Sequence, residues 1–537
     1  MGIRIKRAAV LGAGVMGQGI AAHLANAGIP SYLFDVAPQE LTEAEAEAGL
    51  TLESTNVRNR ISVAGLTAMQ KAKPALLYRP DLVSLVTSCN YEDDLEKLGE
   101  CDWIVEVVVE RMDIKQRVFA MVDEHRKLGS VVSSNTSGLS ADAMAEGRSE
   151  DFRRHFMVTH FFNPVRYMRL LEMVPIEDTD PDVFAEMAWF GEHILGKGVV
   201  YCKDTPNFIA NRIGTFGMTS VFHWMTEYGV GVAEVDAVFG PAMGRPKSAV
   251  FRTADIVGLD TMAHVLATIG KGCPDDPWRD RFEIPAAMQA LIDDGRLGSK
   301  SGAGFYKKVK TEEGSTILSL DLETLDYIDA GKIRLPAVGA ARKMEDPGDK
   351  IAAMAAFDDD HGRFAWKVTA ETSIYALELL GQIADDIVNI DRALRWGFNY
   401  ELGPFEAWDA IGVAASVERM RAEGMTVPST VDRLIEVGEG SWYVKRDGVQ
   451  YYWDVESETY LPVPTSEGVI SIASLADEGK VLAESVGATL YDMGDGVGCV
   501  SFHTKMIALD NTILEVIATG CDMVDAVFGP AMGRPKS

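Results

Sequence analysis

Residues 8–35 read AAVLGAGVMGQGIAAHLANAGIPSYLFD, and this stretch decides the fold of the first part of the chain. An apolar strand is followed by the glycine-rich turn GxGxxG, by the apolar spacing of a helix, and by a second apolar strand at residues 31–34. Gly12 permits the sharp turn, Gly14 lets the backbone approach a phosphate, and Gly17 lets helix and strand pack closely. This order predicts the opening unit of a doubly wound parallel sheet.

Asp35 ends the second strand, eighteen residues after the last glycine of the turn. A carboxylate at this place accepts hydrogen bonds from the ribose hydroxyls of a bound dinucleotide. The next residues, Val36 and Ala37, offer no cation for a 2′-phosphate, which favours NAD over NADP. Val15 and Met16, inside the turn, belong to the predicted NAD site. The alternative interpretation is a glycine-rich turn that only connects a strand to a helix.

The composition argues against nucleic acid and membranes as partners. A chain of 537 residues exceeds one hydrophobic core, so about two to four domains are expected. Its 80 acidic and 51 basic residues leave a formal charge of −29, which repels nucleic acid and anionic membranes. No stretch reaches membrane-spanning length, and the first residues lack the apolar core of a signal peptide. We therefore expect small-molecule partners, no membrane insertion and a cytoplasmic location.

Cysteine usage supports the same location. The six cysteines are scattered and contain no CxxC pair. This spacing indicates neither a disulfide framework nor a zinc site, and no metal site is predicted.

Further strands continue the Rossmann-like sheet. They are predicted at residues 82–87, 103–108 and 130–134, with a helix at residues 113–125 between the last two. Glu110 and Lys115 follow the middle strand of these three, and ligands bind at the carboxyl ends of parallel strands. Both residues are therefore predicted to contact the nicotinamide half of the cofactor. A solvated pair at a helix start is the alternative.

A longer, mainly helical segment at residues 41–79 is unusually basic for this acidic chain. It contains Arg58, Arg60, Lys71 and Lys73. Local basicity suits a phosphate-bearing handle on the substrate, whereas a helical insertion with an ordinary solvated face explains it equally well.

The stretches SSNTSGLS and THFFNPVRYMRLLEMV hold candidate groups for removing a hydride and a proton from an alcohol. His160 is the candidate for taking the hydroxyl proton, and Glu172 for orienting its imidazole. They lie twelve residues apart with an Asn-Pro turn signal between two apolar runs, so they can meet across an antiparallel pair. The groups that can fix substrate and cofactor beside them are Ser137, Asn135 and Asn163. Taken singly, such a histidine is more often structural.

Together these residues resemble the 3-hydroxyacyl-CoA dehydrogenases of fatty-acid β-oxidation. The resemblance is to the long bacterial type, in which dehydrogenase modules precede an enoyl-CoA hydratase module, and it covers about residues 8–517. The motifs that occur in family order are GAGVMGQGIAAHLANAG, VVVERMDIKQRVF, SSNTSGLS, HFFNPVRYMRLLEMV, KDTPNFIANRIG and GRPKSAVFRTADIVGLD. The resemblance implies oxidation of an (S)-3-hydroxyacyl-CoA thioester to 3-oxoacyl-CoA with NAD.

The resemblance also implies roles for single residues. His160 would be the catalytic base and Glu172 its partner, with Ser137 and Asn211 as the polar groups around the substrate oxygen. The residues implied to hold the nicotinamide nucleotide are Glu110, Lys115, Asn163 and Lys300. Two other functions stay open, namely a dehydrogenase of a small hydroxy acid without CoA and a non-catalytic acyl-CoA- or NAD-binding scaffold.

The predicted organisation has five segments. They are an NAD-binding domain at residues 1–203, a helical closing domain at 204–308, a linker with short helices at 309–362, a second helical domain at 363–463, and a truncated hydratase-like stub with a duplicated tail at 464–537. The stub lacks the oxyanion loop and acidic residues of a hydratase, so no hydration activity is expected. Residues 524–537 repeat residues 235–248 letter for letter, and we expect this tail to be poorly ordered and without function.

The second helical domain is interpreted as a repeat of the first. Residues 384–391 echo residues 232–236, and residues 403–412 echo residues 252–258. The second copy lacks the NFIANR motif, so we predict a packing partner and not a second active site. In single-copy relatives the helical domain makes the dimer contact. Two arrangements are therefore possible, namely a homodimer of two chains and a tandem pair of helical domains that pack within one chain.

Overall fold

The computed structural model describes residues 4–311, 314–466 and 468–528. The chain divides into two units, residues 1–436 and 437–537, each with a hydrophobic core of its own. The tail predicted to be poorly ordered lies outside the described residues from position 529 onward.

An eight-stranded sheet organises the start of the first unit. Its strands are β1 (Ala8–Leu11), β2 (Ser31–Asp35), β3 (Val86–Asn90), β4 (Trp103–Glu106), β5 (Val131–Ser134), β6 (Phe156–Phe161), β7 (Leu170–Pro175) and β8 (Gly198–Tyr201). They lie in the order β3-β2-β1-β4-β5-β6-β7-β8, and only the β6–β7 pairing is antiparallel. The doubly wound, mostly parallel sheet predicted from the sequence is thereby confirmed. β1, β4 and β5 are buried along their whole length because helices cover both faces.

Eight helices accompany this sheet. They are α1 (Val15–Asn26), α2 (Glu43–Glu47), α3 (Thr55–Arg58), α4 (Arg60–Lys71), α5 (Met112–His125), α6 (Ala141–Ala145), α7 (Glu150–Arg154) and α8 (Pro181–His193). The strand predicted at residues 82–87 begins later than expected, as β3 at Val86–Asn90. Pro80–Leu85 forms a 3₁₀-helix that directs Leu82 and Leu85, three positions apart, onto the core.

Two successive helical sets follow. The first is α9 (Ala210–Glu227), α10 (Val232–Val238), α11 (Phe251–Val257), α12 (Leu259–Gly272) and α13 (Ala286–Asp293); then come β9 (Tyr306–Thr311), β10 (Gly314–Leu320), β11 (Tyr327–Ile328), α14 (Pro336–Ala341) and α15 (Pro347–Ala356). The second set is α16 (Asp360–Glu378), α17 (Ile387–Gly397), α18 (Pro404–Ile411), α19 (Val413–Ala422) and α20 (Thr430–Glu436).

The segment predicted as a linker with short helices contains two short helices and also strands. Within residues 309–311 and 314–362 the chain forms most of a three-stranded antiparallel sheet and two helices. Ile351, Met354 and Ala355 are buried because their spacing gives α15 one apolar face, which packs on α16 and α18.

The two helical sets share a capping arrangement that a repeat would produce. The Asp236 carboxylate accepts hydrogen bonds from backbone N–H groups at the start of α11, and Asp391 does the same for α18. A glycine with positive φ then joins each capped helix to the next one, Gly258 at 100° and Gly412 at 97°. Asp236 and Gly258 therefore have structural counterparts in the second set.

The second set packs against the first within one chain. α16 lies along α9, and α17 contacts α9, β7 and β8. The Phe398 ring occupies the space that a Cβ on Gly214 of α9 would fill, and the Trp396 ring does the same at Gly198 of β8. Gly214 therefore allows the second helical set to approach the first closely, and Gly198 allows it to approach the sheet.

The second unit begins with strands that the sequence assigned to the second helical domain. Its elements are β12 (Tyr443–Arg446), β13 (Val449–Asp454), β14 (Thr459–Pro462), α21 (Ile472–Asp477), β15 (Val481–Glu484), β16 (Ala488–Asp492), β17 (Gly498–Phe502) and α22 (Asn511–Phe528). The strands form two antiparallel three-stranded sheets. α22 closes over the second sheet through Leu490, Ile513 and Val516.

Candidate active site

The glycine-rich turn leaves open space where β1 meets α1. Gly12 has φ 122°, and a Cβ there would lie 2.7 Å from the Val107 carbonyl oxygen. A Cβ on Gly17 would collide with the Gly12 carbonyl oxygen, whereas a Cβ on Gly14 would meet no atom within 4 Å. Close packing therefore excludes a side chain at Gly12 and at Gly17, whereas the surface beside Gly14 is open.

Asp35 lies beside this turn at the end of β2. Its Oδ2 accepts the Ala13 N–H at 2.7 Å and its Oδ1 accepts the Val36 N–H at 2.8 Å. These bonds fix the carboxylate and leave lone pairs on both oxygens for further donors. Val15 and Val36 are exposed at the same edge, and Met16 is partly buried.

A buried ionic cluster lies beneath the edge next to the turn. The Lys115 ammonium is 1% exposed and lies 2.8 and 2.9 Å from the two oxygens of Glu106, which is completely buried. Burial raises the pKa of Glu106, although Lys115 and the Ser134 hydroxyl oppose that rise. Lys115 is also 3.4 Å from Glu110 Oε2. Lys115 therefore lies below the cleft surface, and Glu106 was not among the residues singled out from the sequence.

Glu110 holds the loop that follows β5. Its Oε1 accepts the Thr136 hydroxyl and the backbone N–H groups of Ser137 and Gly138, the latter at 3.0 Å. Burial alone would raise the pKa of Glu110, but Lys115 and these donors more than offset it and hold that pKa below its usual range. The carboxylate thus stays ionised and shapes the loop.

His160 and Glu172 are direct register partners on β6 and β7. His160 Nδ1 lies 2.7 Å from Glu172 Oε2. The other oxygen, Oε1, accepts the backbone N–H groups of Ile209 and Ala210 at 3.1 and 2.8 Å, at the start of α9. Glu172 is completely buried, and both of its oxygens have partners, one at the imidazole and the other at the start of α9. This arrangement leaves His160 Nε2 as the nitrogen that can exchange a proton.

Aromatic rings and a polar loop surround the histidine. The His160 ring lies 4.6 Å from the ring of Phe162 and 5.8 Å from that of Phe208, measured between centroids. Asn135 Oδ1 accepts the Phe161 N–H at 2.8 Å, which links the loop after β5 to the strand that carries His160. The Ser137 carbonyl oxygen accepts the Asn207 N–H at 2.6 Å.

The segment entering α9 has an unusual backbone. Asn207 and Phe208 both have positive φ, 63° and 48°. Two consecutive residues of this kind are costly and persist where the surroundings fix them, which is frequent at functional sites. Here the conformation directs the next N–H groups at Glu172 and places Asn211, half-buried, in the first turn of α9. No sequence signal indicated this pair.

Other predicted residues are exposed or paired with carboxylates. The Lys300 ammonium is 2.5 Å from Asp260 and about half exposed. Asn163 is exposed in the loop between β6 and β7. In the basic segment, Arg58 pairs with Glu92 and Asp93 and Arg60 pairs with Glu45, whereas Lys71 and Lys73 are exposed.

Comparison with known proteins agrees with this fold. Residues 7–205 match the family description "3-hydroxyacyl-CoA dehydrogenase, NAD binding domain". Residues 208–308 match "3-hydroxyacyl-CoA dehydrogenase, C-terminal domain". A Deinococcus radiodurans protein named probable 3-hydroxyacyl-CoA dehydrogenase is 45% identical over 311 residues, which are 58% of this chain and 85% of that protein. The chain belongs to the 3-hydroxyacyl-CoA dehydrogenase family.

Two further similarities extend beyond these domains. A Bacillus subtilis protein named probable 3-hydroxyacyl-CoA dehydrogenase is 48% identical over 518 residues, covering 96% of this chain but 65% of that protein. The structure of 3-hydroxybutyryl-CoA dehydrogenase from Escherichia coli K12 matches 78% of this chain and 95% of its own with a TM-score of 0.56. At 21% identity that match supports the fold alone. The family resemblance seen in the sequence is confirmed.

Within the described ranges, no helix is both long and apolar enough to cross a membrane. The same residues contain no group of three or more histidine, cysteine, aspartate or glutamate side chains arranged to hold a metal ion.

Proposed function

We propose that the chain catalyses NAD-dependent oxidation of (S)-3-hydroxyacyl-CoA to 3-oxoacyl-CoA in fatty-acid β-oxidation. The observation that carries this proposal is the buried His160–Glu172 pair, with Nδ1 and Oε2 2.7 Å apart, beside the carboxyl edge of the sheet. Ligands bind at that edge in open α/β sheets, and a histidine held by a carboxylate on one nitrogen acts as a base on the other. Family membership supplies the substrate class.

His160 is the catalytic base in this proposal. Because Nδ1 faces the Glu172 carboxylate, the proton stays on Nδ1 and the Nε2 lone pair is available. Nε2 takes the proton of the substrate 3-hydroxyl, and Glu172 stabilises the imidazolium that forms. A bound NAD would supply the acceptor for the C3 hydride, so that the carbon–oxygen bond would become a carbonyl. We assign Ser137 and Asn211 to the substrate oxygen.

The residues around the first turn fit the dinucleotide. The open space at Gly14 lies at the N-terminus of α1, whose cap provides no side-chain hydrogen bond, so backbone N–H groups remain for a pyrophosphate. The residues proposed to hold NAD are Gly12, Gly14, Val15, Met16, Gly17, Asp35, Glu110, Asn135, Ser137, Asn163 and Lys300. Lys115, which is buried against Glu106, would act by keeping Glu110 charged and in place.

The CoA end of the substrate is assigned to the basic segment. Arg58 and Arg60 are paired with carboxylates, so the exposed Lys71 and Lys73 are the better candidates for its phosphates. Both cations stand near the end of α4, which packs against α1.

The remaining assignments follow from packing and thiol chemistry. The second helical set is proposed as a non-catalytic packing partner of the first. Measurement of the molar mass in solution would show whether the chain also forms a homodimer. All six cysteines are free thiols, which suits the cytoplasm.

An assay with acetoacetyl-CoA tests the proposal in the reductive direction. Oxidation of NADH should follow addition of the thioester and should not occur with free acetoacetate. Turnover of free acetoacetate or 3-hydroxybutyrate at comparable rates would indicate a dehydrogenase of small hydroxy acids instead. Calorimetric binding of acyl-CoA without NADH oxidation would indicate a scaffold. Thioesters of increasing chain length then define the acyl preference.

A further inference from the structure

A buried polar cluster joins the first turn of α9 to the second helical copy. The Arg212 guanidinium donates from Nε to the Tyr375 hydroxyl oxygen at 2.6 Å and from Nη1 to Cys273 Sγ at 2.7 Å, and Nη2 forms an ion pair with Asp276. The Tyr375 hydroxyl in turn donates to Asp276 Oδ2 at 2.7 Å. Tyr375 is completely buried and Arg212 is 4% exposed. The hydroxyl of α16 therefore closes a cycle of hydrogen bonds.

The cluster begins one residue after the site proposed for the substrate. Arg212 directly follows Asn211, and the N–H groups of Ile209 and Ala210, in the same turn, hold Glu172 Oε1. Glu172 in turn holds His160 Nδ1. A continuous set of contacts thus leads from Tyr375 to the histidine through the first turn of α9.

The Tyr375 side chain of the second helical set is held in place by its packing. The rings of Tyr375 and Phe216 stack with centroids 4.0 Å apart, and both residues are completely buried. The stacked ring has little freedom, so the hydroxyl is presented to Arg212 in one place. Burial raises the pKa of Tyr375, and its hydroxyl stays protonated as the donor to Asp276.

We infer that Tyr375 is a positioning residue for the His160–Glu172 pair, so that the second helical copy contributes to catalysis without touching substrate. The inference rests on the proposed dehydrogenase function. Its physical basis is that a misplaced first turn of α9 would weaken the two amide bonds to Glu172. The carboxylate would then carry more uncompensated negative charge and would hold a proton on His160 more strongly.

The test is Tyr375→Phe in the full chain, which keeps the ring stack and removes only the hydroxyl. We expect kcat with acetoacetyl-CoA to fall by about ten- to a hundredfold, since small misplacements of reacting groups have effects of this size. The KM for NADH should be unchanged because the Tyr375 hydroxyl bonds to Arg212 and Asp276, and neither residue is proposed to hold NAD. The acidic limb of the kcat/KM profile in the oxidative direction should move to higher pH.

Two further variants separate positioning from general loosening. Arg212→Lys keeps a cation for Asp276 but loses the Nε donor, and it should move the acidic limb in the same direction. Glu371→Gln removes the 2.8 Å ion pair to Arg281, which joins the same two helical copies one turn earlier on α16. This matched control should lower Tm while the wild-type kcat and pH profile are kept.

The outcomes separate the inference from the proposed function. Wild-type chain without activity on acetoacetyl-CoA contradicts the function. An active wild type whose Tyr375→Phe variant keeps the same kcat and acidic limb, even with a lower Tm, overturns the inference. The inference is also overturned if Glu371→Gln moves the acidic limb of the kcat/KM profile as Tyr375→Phe does.

Discussion

Glu172 serves His160 and the start of α9 with the same carboxylate, one oxygen 2.7 Å from the imidazole Nδ1 and the other 2.8 Å from the Ala210 nitrogen. The helix terminus therefore sets the orientation of the imidazole through the carboxylate. Here the folding of the second domain completes a site that begins in the first.

The His160–Glu172 pair carries the first prediction. His160→Ala should lower kcat with acetoacetyl-CoA and NADH by about 10²- to 10⁴-fold, because general acid–base assistance is worth that much and the base of the oxidation returns the proton in the reduction. Glu172→Gln should have a smaller effect, since Nε2 remains available. The control is His125→Ala at the far end of α5, which should keep wild-type activity. Wild-type activity of the His160→Ala variant would contradict the assignment of His160 as the catalytic base.

The buried Lys115–Glu106 pair predicts a pH-dependent loss of stability. Lys115→Met leaves a fully buried carboxylate without its cation and should lower the free energy of unfolding by about 3–5 kcal/mol at neutral pH. Burial already raises the pKa of Glu106, and without Lys115 it rises further. The loss should therefore shrink as acid protonates Glu106. Thermal unfolding of both chains across pH measures this, and a loss that does not depend on pH would contradict it.

The Gly214–Phe398 contact predicts that a single methyl group disturbs the packing of the two helical copies. Gly214→Ala places a Cβ inside the volume of the Phe398 ring and should destabilise the chain by about 1–3 kcal/mol. The matched control is Gly270→Ala in α12, where a Cβ meets no atom within 4 Å. That change should stabilise by about 0.5–1 kcal/mol through helix propensity. Equal Tm changes in the two variants would refute the packing argument.

The buried His23 should account for part of the loss of folding stability in acid. Its Nε2 lies 2.9 Å from the Leu195 carbonyl oxygen, and burial together with the nearby Lys197 lowers its pKa to about 4. The unfolded chain binds a proton at this residue between about pH 6.5 and 4 while the folded chain does not, so stability falls as the pH is lowered through that window.

A glutamine at position 23 keeps a donor for Leu195 and cannot be charged. His23→Gln should therefore lose less stability between these pH values, by up to about 3 kcal/mol. The measurement is Tm against pH for both chains, with the exposed His264→Gln as control. Parallel curves for wild type and His23→Gln would show that His23 is not responsible.

Local signals in the sequence were sufficient for part of the fold and site. The glycine turn could be predicted because it depends on residues without side chains at fixed spacing. The His160–Glu172 pairing could be predicted because the two strands are close in sequence and are joined by a turn signal. The 3₁₀-helix at Pro80–Leu85 was missed because a short apolar run fits either a strand or a helical turn.

Other features of the fold and the site depend on which residues become buried, and the sequence pattern does not predict this. The charges of Glu106 and Lys115 resemble surface charges until the sheet covers them. The positive φ values of Asn207 and Phe208 arise only where the segment entering α9 meets β7. Residues 309–362 are mixed and weakly periodic, which is typical of a linker, whereas the apolar face of α15 becomes buried where it meets α16 and α18.

The packing of α16 along α9 joins two surfaces that belong to the same polypeptide. Their encounter is intramolecular, and its effective concentration is set by the connecting chain. Dilution therefore does not separate them, whereas a contact between two subunits would dissociate at low concentration. A catalyst built in this way keeps the start of α9 supported even when only a few molecules are present in a cell.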